Sequence, residues 1–251
     1  MMSSGVLGRF LAAAVVIPAA LTSCADSGPD PTEAATRSLF QLCNGSGLDG
    51  WSRVPGASGN AVVKGDGPVV VLANDLTNAV CGWIPLATRL VVRGYHVVLF
   101  QYADTTPEGE SHSVARTIAV AAASSSGAPY VLVGANFGGR IVVEAAARHP
   151  EGLRAIVSVS GEVEDNAWHD ILPEARAVTT PALYVGARKD MWTDGTTQQR
   201  ILHRAMHGSP NRLVQYPGTA NGLDLLDPRS AVGRRAQAAV IGFVTQQLPQ
   251  R

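Results

Sequence analysis

The sequence predicts an α/β protein with a doubly wound, mostly parallel β-sheet and helices on both of its faces. Short apolar runs alternate along the chain with longer segments of helical character, an order that is typical of βαβ units. Most of the runs are continuously apolar, as expected of parallel strands that are covered on both faces. The 251 residues are enough for one such domain with a full core.

The predicted elements follow one another from about residue 60 to the C-terminus. The strands are Ala61–Val63, Val69–Ala73, His96–Tyr102, Tyr130–Gly134, Ala155–Ser160, Ala182–Gly186 and Arg212–Tyr216. The helices are Trp83–Arg93, Ser113–Ser125, Gly138–His149, Thr196–His207 and Arg229–Gln247. Gly94 and Pro150 end two of these helices, because glycine favours a helix C-terminus and proline cannot continue a helix.

The N-terminus has the pattern of an export signal. A single cation, Arg9, precedes the apolar stretch Phe10–Leu21, which Pro18 interrupts. A transmembrane helix needs about 20 apolar residues, so this stretch is too short to span a bilayer comfortably.

The end of the stretch, Leu21-Thr22-Ser23-Cys24, resembles a bacterial lipobox. The resemblance implies a signal peptide over residues 1–23 and a lipidated Cys24 that anchors an exported cell-envelope protein to the membrane. Residues 24–40, rich in Asp, Pro, Ser and Thr, are then a tether, and residues 41–251 form the domain. An ordinary secretory signal with a chance cysteine is the alternative.

Two further cysteines, Cys43 and Cys81, remain in the mature chain. In an exported protein an even pair favours a disulfide, and two buried thiols are the alternative. Closing a loop of roughly 40 residues would stabilise the fold by about 3–4 kcal/mol.

Charge and ligand patterns exclude several classes of function. The formal net charge is zero and no basic run is present, so no nucleic-acid partner is predicted. Neither Cys43 nor Cys81 has a CxxC or histidine neighbour. His203 and His207 lie one turn apart without the glutamate of an HExxH motif. We therefore predict neither a metal nor a cofactor.

The candidate functional residues lie in four loops that follow strands, where ligands bind in doubly wound sheets. The loops contain Asn74-Asp75-Leu76, the turn Gly134–Gly138 around Asn136, Asp190, and Asn221. Taken in order, and with the segment "GWIPLATRLVVRGYHVVLFQY", they resemble the α/β-hydrolase fold family.

The resemblance assigns the triad positions, which run in chain order nucleophile, acid, histidine. Asn136 takes the place of the nucleophile, where the family usually has Ser, Cys or Asp. Asp190 takes the acid position, with Asp194 as second choice. "GTANGLDLL" is similar to the family's "GxxHGxxLL" segment, so that Asn221 stands where the histidine belongs.

The same resemblance implies an oxyanion hole and an open cleft. The oxyanion donors would be the backbone N–H groups of Phe137 and Asp75. The short segment between Gly161 and Pro181 leaves room for one small helix, around Trp168–Ala177, and for no large lid domain. Trp168, Trp192 and Phe137 are candidate aromatic walls of the cleft.

Both departures from the triad remove its chemistry. The amide nitrogen of Asn136 has a delocalised lone pair, and Asn221 has no group that titrates near neutrality, so neither can replace its counterpart. Asparagine does tolerate the positive φ of a nucleophile elbow. We therefore expect a hydrogen-bonded Asn136–Asn221–Asp190 network with the shape of a triad.

The leading hypothesis is a lipid-anchored, non-catalytic pseudohydrolase that binds a partner or a small acyl, ester or lipid-like ligand. One alternative is an active hydrolase of carboxylic esters with a non-standard nucleophile or base, such as Ser160, His112 or His169. Another alternative is a structural envelope lipoprotein whose cleft has no role.

Overall fold

The computed structural model describes residues 43, 48–54, 61–75, 80–100, 102, 107–163, 170–190, 196–206 and 210–250. The strands are β1 Ser52–Arg53, β2 Ala61–Lys64, β3 Val69–Ala73, β4 His96–Phe100, β5 Tyr130–Ala135, β6 Leu153–Val159, β7 Ala182–Ala187 and β8 Asn211–Tyr216. The helices are α1 Ile84–Val92, α2 Pro107–Ser125, α3 Phe137–Ala147, α4 Leu172–Ala177, α5 Thr196–Ala205 and α6 Ala231–Gln247. Two 3₁₀ helices, Val80–Trp83 and Gly222–Leu226, complete the described elements.

The strands form one eight-stranded sheet in the order β1-β2-β4-β3-β5-β6-β7-β8. From β4 to β8 all neighbouring strands are parallel, whereas β1 and β2 add an antiparallel edge. The order runs outward from β3 in both directions, which is the doubly wound arrangement that the sequence predicted.

The core consists of two layers, one on each face of this sheet. In β3, Val70 and Leu72 face one layer, while Val69, Val71 and Ala73 face the other. Helices α1 and α6 cover the first face, and α2 to α5 cover the second. Burial on both faces explains why the central strands are continuously apolar in sequence.

The boundaries of several elements differ from the predicted ones for local reasons. Helix α2 begins at Pro107 rather than at the predicted Ser113. The prediction missed its first turns because they are polar and show no apolar repeat. Helix α6 begins at Ala231, where the hydroxyl of Ser230 accepts a hydrogen bond from the N–H of Gly233 at 2.8 Å and caps the helix. The two-residue strand β1 was not predicted, since it is too short to show an alternating pattern.

A disulfide joins Cys43 to Cys81, 38 residues apart, and confirms the predicted pairing. Cys81 belongs to the first 3₁₀ helix, in which Gly82 packs directly on Leu223: a Cβ on Gly82 would lie 2.8 Å from Leu223 Cδ1. The disulfide therefore lies next to a contact between the two 3₁₀ helices.

Some predictions concern residues outside the described ranges. The signal peptide, Cys24 and the tether lie there, as do Trp168, His169, Trp192, Asp194 and His207. In the segment predicted to lack a large lid, the described part holds only the short helix α4. None of the helices in the described ranges combines the length and apolar character needed to cross a bilayer.

Candidate functional site

The turn between β5 and α3 has the backbone of a nucleophile elbow. Asn136 adopts φ 50° and ψ −116°, directly after the last residue of β5 and before the first residue of α3. Its N–H donates to the carbonyl of Val159 at 2.8 Å, and its own carbonyl accepts from the N–H of Arg140 at 3.1 Å. Asparagine is among the non-glycine residues that adopt positive φ most readily, so the turn keeps its shape without serine.

This turn requires two glycines, because main-chain atoms occupy the space that their side chains would need. A Cβ on Gly134 would lie 1.9 Å from the carbonyl oxygen of Gly138. A Cβ on Gly138 would lie 2.3 Å from the carbonyl oxygen of Ala73 and 2.4 Å from that of Asn74. The elbow therefore packs against the end of β3, which leads into the predicted oxyanion loop.

Hydrogen bonds hold the loops after β7 and β8 side by side. The N–H of Arg188 donates to Tyr216 at 2.8 Å, and the N–H of Lys189 donates to Gly218 at 3.0 Å. These contacts bring Asp190, which follows β7, towards Asn221, which precedes the second 3₁₀ helix.

The three residues predicted to occupy the triad positions form a continuous hydrogen-bonded network. Asn136 Nδ2 donates to Asn221 Oδ1 at 3.0 Å. Asn221 Nδ2 in turn donates to both carboxylate oxygens of Asp190, at 3.0 Å to Oδ1 and 2.9 Å to Oδ2. The order of contacts is that of nucleophile, base and acid, but both links are amide hydrogen bonds and neither can relay a proton.

Burial differs along this network. Asp190 is 4% exposed, whereas Asn136 and Asn221 are partly exposed. The two asparagines therefore keep some solvent-accessible surface, whereas Asp190 is buried. A buried carboxylate is stable only when hydrogen bonds satisfy it, and the NH₂ group of Asn221 supplies two of them.

Asp75 adds a second buried carboxylate to the site. It is the second residue after the end of β3 and is only 1% exposed. Its Oδ2 atom lies 2.9 Å from the point that a Cβ on Gly222 would occupy, and Asn136 Cβ lies 3.3 Å from the same point. The sequence predicted a backbone role for Asp75 and missed this position of its side chain, because only the contact with the distant Gly222 reveals it.

Gly222→Ala tests this contact. Gly222 has φ +49°, and an added Cβ would be pressed against Asp75 and Asn136. We expect the free energy of unfolding to fall by about 1–3 kcal/mol, together with a loss of the Asn136–Asn221 hydrogen bond. Urea unfolding measures the first effect, and the side-chain NH₂ signals of the two asparagines in a ¹⁵N NMR spectrum report the second.

The matched control is Gly218→Ala, since Gly218 has φ +108° but open space around its Cβ position. It carries the backbone strain without the collision. Equal losses of stability in the two variants, with unchanged asparagine signals in both, would contradict the close packing around Gly222.

Phe137 is a core residue and not an open wall of the cleft. It is 7% exposed and packs edge-to-face on Tyr102 with ring centroids 5.4 Å apart. Burial raises the pKa of Tyr102 well above its usual value, so this phenol stays protonated near neutrality. The prediction of Phe137 as a wall of the cleft is wrong, because its ring packs into the core layer that α2 to α5 cover.

The alternative catalytic residues do not join the network within the described ranges. Ser160 follows β6 with φ 51° and is fully buried, while His112 is exposed on α2. His203 lies on α5, where partial burial and the neighbouring Arg204 lower its pKa. Among the residues that the structure describes, no group of His, Cys, Asp and Glu is arranged to hold a metal ion.

A surface cavity of about 460 Å³ lies beside the second 3₁₀ helix. Gly82 and Leu223, which touch each other, both line it. Gly222 and the three residues of the network are not among its lining residues. The remaining lining residues are Pro85, Asp224, Leu226, Asp227, Pro228 and Arg229.

No protein-family model and no curated protein matches the sequence. Solved structures match the fold. An enol-lactonase from Burkholderia xenovorans superposes with a TM-score of 0.58 at 15% identity, over 78% of this chain and 99% of the other. A monoacylglycerol lipase from Paleococcus ferrophilus gives 0.62 at 15% identity, over 74% and 98%. A proline iminopeptidase from Mycobacterium smegmatis gives 0.60 at 12% identity, over 78% and 98%.

Proposed function

Starting from the α/β-hydrolase fold that the chain has in common with these enzymes, we propose that the protein binds a ligand or partner at the triad position without catalysing hydrolysis. The observation that carries this proposal is the Asn136–Asn221–Asp190 network, with contacts of 2.9–3.0 Å. It keeps the arrangement of a catalytic triad while replacing both of its reactive members.

The chemistry of the two amides argues against acyl transfer. A serine attacks because a neighbouring imidazole takes its proton, and here no imidazole occupies the second position. Losing the triad leaves only about 10³–10⁴-fold acceleration over water from an oxyanion hole and binding. Such residual activity is far below that of an active hydrolase.

The structure around the network supports a site that binds a ligand rather than a cleft without any role. The elbow retains its strained backbone at Asn136 and both of the glycines that it requires. Asn136 and Asn221 remain partly exposed above the buried Asp190. An arrangement of this kind presents fixed polar groups to a small molecule, for which we propose an acyl, ester or lipid-like compound.

The proposal includes export and a lipid anchor. Cleavage before Cys24 and acylation of its thiol would hold the domain on a bacterial membrane through the tether of residues 24–40. The Cys43–Cys81 disulfide supports export, because such bonds persist in oxidising compartments. Mass spectrometry of the membrane fraction checks the anchor, and Cys24→Ala should release the protein from that fraction.

The decisive experiment compares the natural protein with the double variant Asn136→Ser/Asn221→His. We expect the natural protein to leave short-chain p-nitrophenyl esters intact and the double variant to hydrolyse them at least about 10²-fold faster. Each single variant should stay inactive, because nucleophile and base act as a unit. Turnover is followed by release of p-nitrophenolate.

Hydrolysis by the natural protein that survives Asn136→Ala would overturn the proposal and point to another nucleophile. Ser160 is then the candidate, and covalent labelling by a fluorophosphonate that Ser160→Ala abolishes would identify it. If the cleft has no role, no candidate ligand raises the melting temperature of the natural protein. If a ligand binds in the cleft, it raises that melting temperature, and Asn136→Trp abolishes the rise.

A further inference from the structure

Strand β8 forms an open edge of the described sheet. It is the last strand in the order, and within that sheet it pairs with β7 alone. Every residue of β7 is buried, whereas every residue of β8 keeps solvent-accessible surface. Val214 and Tyr216 pack on the core layer under α1 and α6. Because side chains alternate along a strand, Arg212 projects to the same side of β8.

Tyr216 brings positively charged residues from three segments together at this edge. Its hydroxyl donates to the main-chain carbonyl of Arg235 on α6 at 3.0 Å, and Cζ of Arg235 lies 5.9 Å from the ring centroid. The carbonyl of Tyr216 accepts from the N–H of Arg188, in the loop after β7, at 2.8 Å. Partial burial raises the pKa of Tyr216, and the nearby charges of Arg235 and Arg212 oppose that rise.

These residues form a positively charged surface, which we call the β8 edge patch: Arg188, Lys189, Arg212, Tyr216 and Arg235. All four cations are exposed, and neither β8 nor α6 contains Asp or Glu. The next carboxylate in the loop, Asp190, is 4% exposed and already accepts two hydrogen bonds from Asn221. The formal net charge of the chain is zero, so the patch is a local excess of positive charge that attracts an anionic surface.

The distribution of the cations differs from that of a merely protected sheet edge. Charges that prevent two sheets from pairing lie on the edge strand itself. Here only Arg212 belongs to β8, while the other three cations lie on the loop after β7 and on α6. The patch is therefore broader than the strand and suits an extended anionic partner.

The proposed lipid anchor keeps such a partner within reach. The disulfide fixes Cys43 to Cys81, and the neighbouring Gly82 packs on Leu223 in the 3₁₀ helix that follows β8. The chain from Cys24 to Cys43 spans at most about 60–70 Å, whereas a domain of this size is about 40 Å across. A tether of that length holds the domain near the bilayer but leaves its orientation to other contacts.

We propose that the β8 edge patch docks on anionic phospholipid headgroups of the membrane that carries the anchor, with the Asn136–Asn221–Asp190 network turned towards the bilayer. The inference rests on the export and the lipid anchor proposed above and adds an orientation to them. Arg188 and Lys189 directly precede Asp190, so docking through them brings the loops of the network to the lipid surface. A lipid-like ligand then reaches the site from the membrane.

The test uses the mature chain with Cys24→Ala, so that no acyl chain contributes to binding. Sedimentation measures its binding to vesicles of phosphatidylcholine alone and of phosphatidylcholine and phosphatidylglycerol in equal parts. We expect binding to the anionic vesicles only, and its loss at about 1 M NaCl, where the screening length is about 3 Å. Arg188→Gln/Lys189→Gln should weaken binding about 30-fold, since each cation near an anionic bilayer contributes roughly fivefold.

The matched control is Arg93→Gln/Arg148→Gln. These exposed arginines follow α1 and α3, at the opposite end of the sheet from the network. The control removes the same charge, so its affinity should fall less than about threefold. Equal losses in the two double variants would show a diffuse attraction and overturn the patch.

A spin-labelled headgroup lipid in the anionic vesicles tests the orientation. We expect it to broaden the side-chain NH₂ signals of Asn136 and Asn221 in ¹⁵N NMR spectra more than the main-chain N–H signal of Gly94. Gly94 lies between α1 and β4, at the far end of the sheet. Stronger broadening of Gly94 would overturn the orientation.

Three further outcomes would overturn the docking. The first is equal binding to both kinds of vesicle, and the second is no binding to either. The third is tighter binding to soluble polyglutamate than to the anionic vesicles, lost in Arg188→Gln/Lys189→Gln, which would assign the patch to an acidic protein. Because the tested form has no acyl chain, these results contradict the docking alone, whereas a natural protein without an acylated Cys24 contradicts the anchor.

Discussion

Substituting alanine for Gly138 is expected to lower the free energy of unfolding by about 3 kcal/mol, the upper end of the range for overpacked cores. The new Cβ would lie 2.3 Å from the carbonyl oxygen of Ala73 and 2.4 Å from that of Asn74. Both obstacles are main-chain atoms at the end of a central strand, so no side-chain rotation can relieve them. Either α3 or β3 must move, and both shape the site.

Urea unfolding measures the loss, and Gly242→Ala is the matched control. Gly242 lies in the interior of α6, and nothing lies within 4 Å of its Cβ position. Alanine there should stabilise the protein by up to about 1 kcal/mol, because it restricts the unfolded chain and favours the helix. If both variants unfold at the same urea concentration, the contact between the elbow and β3 is looser than the structure indicates.

Removing the carboxylate of Glu144 is expected to cost about 3–5 kcal/mol of stability. Glu144 Oε1 lies 3.0 Å from Nε of Arg140 one helical turn earlier, and the side chains are 8% and 0% exposed. In Glu144→Ala the guanidinium stays buried with one counter-charge fewer. Because an uncompensated charge is costly in the protein interior, the substitution destabilises mainly the folded state.

Two companion variants isolate the effect of the buried charge. The ion pair between Arg229 and Asp227 has the same 3.0 Å separation, but its side chains are 91% and 29% exposed, so Asp227→Ala should leave the melting temperature almost unchanged. Replacing both members of the buried pair, in Arg140→Leu/Glu144→Leu, should recover much of the lost stability. Additive losses in the double variant would show that packing and not charge determines the effect.

The sequence predicted the central sheet well because its strands are continuously apolar and end at polar loops. Strand β3 has the predicted bounds, Val69–Ala73, between Pro68 and Asn74. The network of Asn136, Asp190 and Asn221 was predicted from the resemblance of their loops to the triad loops of α/β-hydrolases. It can form because parallel strands bring their C-terminal ends to one edge of the sheet.

The missed features depend on contacts between segments that are distant in sequence. The position of the Asp75 carboxylate follows from Gly222, and the burial of Phe137 follows from Tyr102. The spacing of Arg140 and Glu144 suits a surface pair just as well, and only the fold shows that α4 and the chain near Val163 enclose it. Periodicity describes how one element is buried, but not which element covers it.

The Cys43–Cys81 disulfide also determines how the protein carries mechanical load. Tension applied at the N-terminal side of Cys43 passes through the sulfur atoms to Cys81 and enters the fold at the first 3₁₀ helix. The strands β1, β2 and β3 lie within the bridged loop, so the covalent path of that force bypasses them. When the domain is stretched to full extension, the 38-residue loop stays closed, and the chain extends by about 130 Å less than it would without the disulfide.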